Sequence, residues 1–439
     1  MQGIGAAPFE SLLNAAVGDM YPVHQRGLRM ACTNLAVFGG AFFTPILVGI
    51  ITDRLGWPWT FYFVAIFMAA TLPVVFLCCP ETAFRREDRL NTDIVGEVSE
   101  AGKLHESSQA RQVLDSPPES DNSASRPTGF VLFPTSNAPQ PIGNANTPPK
   151  SFLQSLSLFD GRKTDDRYWV LLLRPFPILA NPAFIWGCLI QGTMIGWTVF
   201  IGVIVASIFI GPPYVWGEVE AGYAYTGAFV GALGGFIISG LLADSTAKWL
   251  TKRNNGIYEP EFRIVLVIPM LIIGGIGLYG FGLTAGEVIS GKFTYMPPLV
   301  FFGFEVAGMV IGAVSSSLYI VDAYRDLTIE GFTIMIIFKN IFSFGLTYSA
   351  YDWIVKGGIE DTMIPIASIQ VGVCLLSIPL CTCYPHLRSR ECLKAVLMTS
   401  RCVWETHSVI LPSPRLAQAD TVELTTICLR VETDVVAVM

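Results

Sequence analysis

The chain alternates long apolar stretches with short polar connections, and the lengths of the stretches decide what they are. The clearest covers residues 297–320, PPLVFFGFEVAGMVIGAVSSSLYI, with no turn chemistry after its opening prolines. As a helix it rises roughly 36 Å, enough to cross a hydrocarbon core about 30 Å thick with some tilt. Further stretches of this kind lie at 3–18, 31–52, 60–79, 178–210, 222–243, 264–283, 331–350 and 363–383. The pattern predicts an all-α membrane protein with about nine transmembrane helices. Between the third and fourth lies a polar segment whose middle, 107–150, is rich in Ser, Pro, Asn and Asp. Such a composition cannot bury a core and predicts disorder. Four regions follow: helices in 1–84, a cytosolic loop at 85–175, a six-helix bundle at 176–384, and a tail at 385–439 without a spanning stretch.

Composition strengthens this reading. The chain is 52% hydrophobic and only 14% charged, against roughly 25% charged residues in soluble domains. Its ten cysteines are scattered, several within apolar stretches, and it has only four histidines. Zinc-ligand spacing is absent, so the cysteines read as packing residues, with no metal and no cofactor expected. No Gly-x-x-x-x-Gly-Lys-Ser/Thr loop or nucleophile triad stands out, so the sequence does not support an ATP-driven pump in cis, and no enzyme is expected. Nothing points to nucleic acid. Residues 3–17 contain Glu10 and lack a basic leader, unlike a cleavable signal peptide.

Charge sets the expected orientation. In the short connections, Arg26, Arg29, Lys248, Lys252, Arg253, Arg263 and Arg325 fall on one side, against Arg54, Lys292 and Lys356. The richer side is cytoplasmic by the positive-inside rule. The long loop and C-terminus are therefore expected in the cytosol, and the plasma membrane is the expected location.

Candidate chemistry begins with Glu305, about eight residues or ~12 Å into its span and so near the bilayer midplane. A carboxylate at that depth costs about 2.5–3.5 kcal/mol on insertion scales unless it is protonated, paired or wetted, and such residues mark binding sites and ion paths. Lys339 lies within the 331–350 span. It either pairs with Glu305 or another acid, or snorkels to the interface. Gln191, Trp197 and Thr198 offer polar and cation–π contacts if they face a cavity, and are lipid-facing if they do not. Glu218 and Glu220 either attract cations or are solvated loop charges. Asp19-Met20-Tyr21 with Gly27 is echoed six spans later by Asp322-Ala323-Tyr324 with Gly331, the kind of internal repeat secondary transporters carry.

Several motifs carry a family resemblance. Asp19-Met20-Tyr21-Pro22 with Arg26-Gly27, the 40–49 stretch GAFFTPILVG, and Pro80-Glu81-Thr82 resemble the loop after helix four, the helix-five antiporter motif and the end of helix six in the major facilitator superfamily. Asp160-Gly161-Arg162-Lys163, Arg174-Pro175-Phe176-Pro177, the 258–263 stretch YEPEFR and Phe338-Lys339-Asn340 resemble its fungal polyamine/histidinol-transporter-like branch, related to drug:proton antiporters. Thr44 and Val48 depart from the glycines of the antiporter motif. The family has twelve helices, so the resemblance implies helices four to twelve here, without the first three.

The resemblance implies a proton-coupled, alternating-access secondary transporter of small organic, polyamine-like cations, inactive if those three helices are missing. Glu10 and Glu305 would face each other across the cavity, binding cations and protons. Lys339 and Asn340 would join a polar network. Asp19, Arg26, Glu81, Asp244, Asp322 and Arg325 would form a cytoplasmic gate, and Gly40, Pro45 and Gly49 a kink that rocks the half-bundle. A multidrug or toxin efflux pump, or a non-transporting sensor or partner-dependent membrane protein, are the alternatives. The oligomeric state stays open.

Overall fold

The computed structural model describes residues 2–78, 172–179, 181–212, 214–256, 258–289, 294–324 and 327–381, and every described element is helical. The first helices are α1 (Gln2–Met20), α2 (Val23–Asn34), α3 (Gly40–Leu55) and α4 (Pro58–Cys78). After the undescribed stretch come α5 (Pro182–Ile210), α6 (Thr226–Arg253), α7 (Val267–Ile289), α8 (Met296–Ala323), α9 (Thr328–Gly357) and α10 (Ile359–Leu375). A 3₁₀ helix, Pro260–Leu266, leads into α7, and one helical turn, Glu218–Tyr223, precedes α6.

Among the described residues, eight helical spans are long and apolar enough to cross a membrane. They match the expected stretches with one exception. The 3–18 stretch forms α1, but Gln2, Glu10, Ser11, Asn14 and Asp19 dilute its hydropathy and it does not qualify. The expected 31–52 helix starts earlier, because α2 continues through a π-helical turn at Leu35–Gly39 into α3. That turn, and not only Pro45, disturbs the helix.

Local chemistry explains several boundaries. Asn181 caps α5 by accepting from the Ala183 N–H at 3.0 Å, and Pro182 occupies the first turn where no donor is needed. Gly358, at φ 81°, separates α9 from α10 with a backbone turn that a side chain would strain.

The chain divides into two compact units, one of Met1–Tyr62 with Asp166–Met439 and one of Phe63–Asp165. In the second, the described residues are the continuation of α4, and nothing in the apolar window of that helix is buried. In the first, α8 is the central element, with 83% of its apolar window buried. Small residues put it there. A Cβ on Gly231 would lie 2.0 Å from the Gly303 carbonyl oxygen, and one on Gly308 would lie 2.5 Å from the Gly274 Cα. With little hydrophobic force between helices in lipid, such backbone approach is what packs them. Glu305 is deep because its helix is.

Candidate functional site

Three groupings of polar side chains are held by these helices. The first is at mid-span. Glu305 on α8 is fully buried. The Thr198 hydroxyl on α5 lies 2.7 Å from Glu305 Oε1 and 2.9 Å from the Met194 carbonyl oxygen. Glu305 Oε2 has no hydrogen-bond partner among the described residues. Gly277 on α7 closes the site from another side, since a Cβ there would meet the Glu305 backbone nitrogen at 2.2 Å.

One hydroxyl proton cannot serve two acceptors at once, so this geometry suits both protonation states of Glu305. An ionised carboxylate takes the Thr198 proton. A neutral carboxyl donates its own proton to Thr198 Oγ1, and Thr198 then keeps its bond to Met194. The contact survives either way, which is what a group that gains and loses a proton requires.

Beside it runs a polar seam. Gln370 on α10 accepts from the Thr193 hydroxyl at 2.8 Å and from the Trp197 indole N–H at 3.0 Å. Trp197 is buried and meets Phe342 edge-on, so the lipid-facing alternative does not hold for it, nor for the buried Thr198. Gln191 accepts from Ser316 at 3.4 Å. Gln370 escaped the sequence reading, although a lone amide inside the apolar 363–383 stretch was its signal.

The second grouping is the ion pair between Lys339 on α9 and Glu10 on α1, at 2.8 Å. Of the options open to Lys339, the structure takes the pairing with an acid other than Glu305. The pair is part-exposed, with Glu10 at 37% and Lys339 at 16% of their side-chain surface. The two acids expected together are thus held by different partners, and Asn340 is exposed.

The third grouping lies where α2 begins and α8 ends. Arg26 donates to Asp322 through Nη1 and to the Gly18 and Tyr21 carbonyls at 2.8 and 3.1 Å through Nη2. Arg263, carried inward by the 3₁₀ helix and wholly buried, donates from Nε to Asp322 Oδ2 at 3.1 Å and to the Tyr258 hydroxyl at 3.0 Å. Its Nη1 reaches Asp244 at 3.3 Å and the Ala243 carbonyl at 2.8 Å, and its Nη2 reaches the Val23 carbonyl at 2.7 Å. Tyr258 donates to Asp322 at 2.5 Å. Burial first, and the Asp322 carboxylate next, push the Tyr258 phenol above its usual range, so it stays a donor. Asp244 also accepts the Gly27 and Leu28 backbone N–H groups at 3.0 and 3.1 Å. Two arginines and two aspartates balance.

Of the expected gate residues, Arg26, Asp244 and Asp322 meet in this cluster. Asp19 is exposed, and Glu81 and Arg325 lie outside the described residues. Arg263 and Tyr258 were not among the expected gate residues, although both belong to the YEPEFR stretch. In the helix-five motif, a Cβ on Gly49 would lie 2.5 Å from the Glu218 carbonyl, and one on Gly222 would lie 2.7 Å from that of Pro45. A Cβ on Gly40 would meet nothing within 4 Å, and Gly40 directly follows the π-helical turn at Leu35–Gly39. Among the described residues, no group of His, Cys, Asp and Glu could hold a metal ion.

A multi-pass helical membrane protein with acids and a lysine inside its spans is the class that fold and site define. The Major Facilitator Superfamily profile matches residues 1–346. The chain belongs to that superfamily of secondary transporters, and is not an enzyme. It is 27% identical over 398 residues to an uncharacterized MFS-type transporter of Schizosaccharomyces pombe, covering 88% of this chain and 67% of that one. It is 24% identical over 408 residues to Protein HOL1 of Saccharomyces cerevisiae, covering 86% and 68%. A third relative, named "Probable drug/proton antiporter YHK8", also from Saccharomyces cerevisiae, is 27% identical over 234 residues, covering 48% and 44%. No solved structure matches the chain.

Proposed function

We propose that this chain carries out proton-coupled transport of small, amine-bearing organic cations by alternating access. The observation that carries the reading is Glu305, an acid in the most buried helix with one oxygen on a hydroxyl and the other without a partner. An uncompensated buried carboxylate is too costly to persist without a counter-charge, so it takes either a proton or a substrate ammonium. Competition between the two couples their movements. Glu10 contributes a second cation site, held in this conformation by the Lys339 ammonium as a built-in surrogate. The Arg26–Asp322–Arg263–Asp244 cluster closes the end that the basic connections mark as cytoplasmic.

The test uses the purified chain in proteoliposomes with an imposed pH gradient and labelled spermidine as the probe cation. The expected result is gradient-dependent spermidine movement that Glu305→Gln abolishes while the protein stays monodisperse. Movement in Glu305→Gln that still follows the gradient would remove Glu305 from the coupling. A second reading, proton-driven efflux of drugs or toxins, is favoured by the likeness to the third relative, a probable drug/proton antiporter. It predicts that the same gradient drives an aromatic drug cation, and not spermidine, in exchange for protons.

A further inference from the structure

The mid-span acid leaves a second feature of the fold unused. A groove of about 700 Å³ opens between α6 and α8, within the ~300–1,000 Å³ range of small-molecule sites. It uses a different face of α8 from Glu305. Gly303, Phe304 and Ala307 line it, whereas Glu305 meets Thr198 on α5. Its rims face outward, with Val230 and Val300 at 59% and 52% exposure. In a membrane-crossing bundle that makes it a groove open to lipid.

The two ends differ in chemistry. At one end stand Trp216, Glu220 and Tyr295, with the two rings 5.3 Å apart edge to face. The floor running away from them is bare backbone at Gly231, Gly234 and Gly303. From Met296 to Ala307 the groove follows α8 for roughly 16 Å. Among the described residues of its lining, Glu220 is the single charged one. A phospholipid would bring its phosphate against the Glu220 carboxylate. A ligand with one ammonium and no anion meets an acid and two aromatic faces instead.

We propose that this groove binds a single-chain amphipathic amine, its ammonium between Glu220, Trp216 and Tyr295 and its alkyl tail along the glycine floor. The site stands independently of the transport reading. The floor itself supplies a means of blocking it. A Cβ on Gly231 or Gly303 would strike backbone, but one on Gly234 meets nothing within 4 Å. A larger side chain at that position therefore enters the groove without disturbing the helix packing.

The test places the full chain in phosphatidylcholine nanodiscs with a diazirine-bearing dodecylamine, and in parallel with the matching alcohol, and maps the adducts by peptide mass spectrometry. Amine adducts are expected within 216–238 and 295–307, with the alcohol labelling about tenfold less, as loss of one charge-assisted, ring-faced contact implies. Glu220→Gln should bring the amine down to the level of the alcohol, and Gly234→Leu should remove both while the protein stays monodisperse. Glu305→Gln should leave the labelling unchanged. Equal labelling by amine and alcohol, unaffected by Glu220→Gln, would make the groove a non-selective crevice for alkyl chains. Labelling that survives Gly234→Leu, or is lost in Glu305→Gln, would place the amine elsewhere. Either result overturns the proposal.

Discussion

The charged cluster and the mid-span acid are both buried, yet they solve opposite problems. In the cluster, Asp322 takes bonds from Arg26, Arg263 and Tyr258, and Asp244 from Arg263 and two backbone N–H groups. Charges balance and the acceptors are occupied. Glu305 has one hydroxyl and one empty oxygen. A balanced network fixes the helices that share it, here α2, α6 and α8 with the 3₁₀ helix. A lone acid fixes little and responds to whatever cation reaches it. The contrast separates what holds this conformation from what works within it.

Breaking the balance should produce the largest effect. Arg263→Met removes five donor contacts and leaves Asp322 and Asp244 short of their counter-charge. Loss of one partner from a buried ion pair costs about 3–5 kcal/mol. A steep drop in the temperature at which the detergent-solubilised protein loses its monodisperse peak is the expected readout. Adding Asp244→Asn should recover part of it. If Arg263→Met melts like the parent, the cluster is not holding these helices together.

Gly27→Ala should come next. Its Cβ would sit 2.4 Å from Asp244 Oδ1 and 2.8 Å from the Ala243 Cβ. Forcing volume into a packed contact typically costs about 1–3 kcal/mol, and here it also pushes Asp244 off two backbone donors. The same melting measurement checks it, and an unchanged midpoint would mean that α2 and α6 can part at no cost.

Glu305→Gln sharpens the comparison, because stability and function should move differently. The amide keeps the shape of the side chain and can still engage Thr198. It also removes an acid that must take up a proton or a cation to stay buried. The melting temperature should therefore hold or rise by the equivalent of about 1 kcal/mol, even as the pH dependence of transport is lost. A marked fall in melting temperature would put Glu305 with the structural cluster.

How much of this was legible in the sequence depends on how local each signal is. Span lengths are set by consecutive residues, so the positions of eight membrane helices could be read directly. The depth of Glu305 along its helix was readable for the same reason, since it is arithmetic, whereas its burial comes from the packing of α7 and α5 against α8. Arg263 was not. In sequence it is one of several basic residues in a polar connection, and only the 3₁₀ turn after Pro260 carries it into the core. Lys339 had a choice of acids that no spacing could resolve, because α1 and α9 are brought together by tertiary packing. Gln370 was hidden by its surroundings, as one amide in an apolar stretch looks like a tolerated exception until Trp197 and Thr193 are found pointing at it.

The Glu10–Lys339 pair offers the smallest and most discriminating effect. It is an ion pair like those of the cluster, but part-exposed and joining two side chains where the cluster joins several, so losing it should cost far less. Lys339→Ala should therefore barely alter the melting temperature. If Lys339 is a surrogate for a substrate ammonium, its removal leaves Glu10 open, and the apparent affinity for spermidine should rise. Exchanging the charges, Glu10→Lys with Lys339→Glu, should restore the pair and return the affinity toward that of the parent. A large loss of stability in Lys339→Ala would make the pair another member of the structural class. Unchanged affinity would leave Glu10 outside the site. The pair belongs with Glu305 only if stability stays and affinity moves.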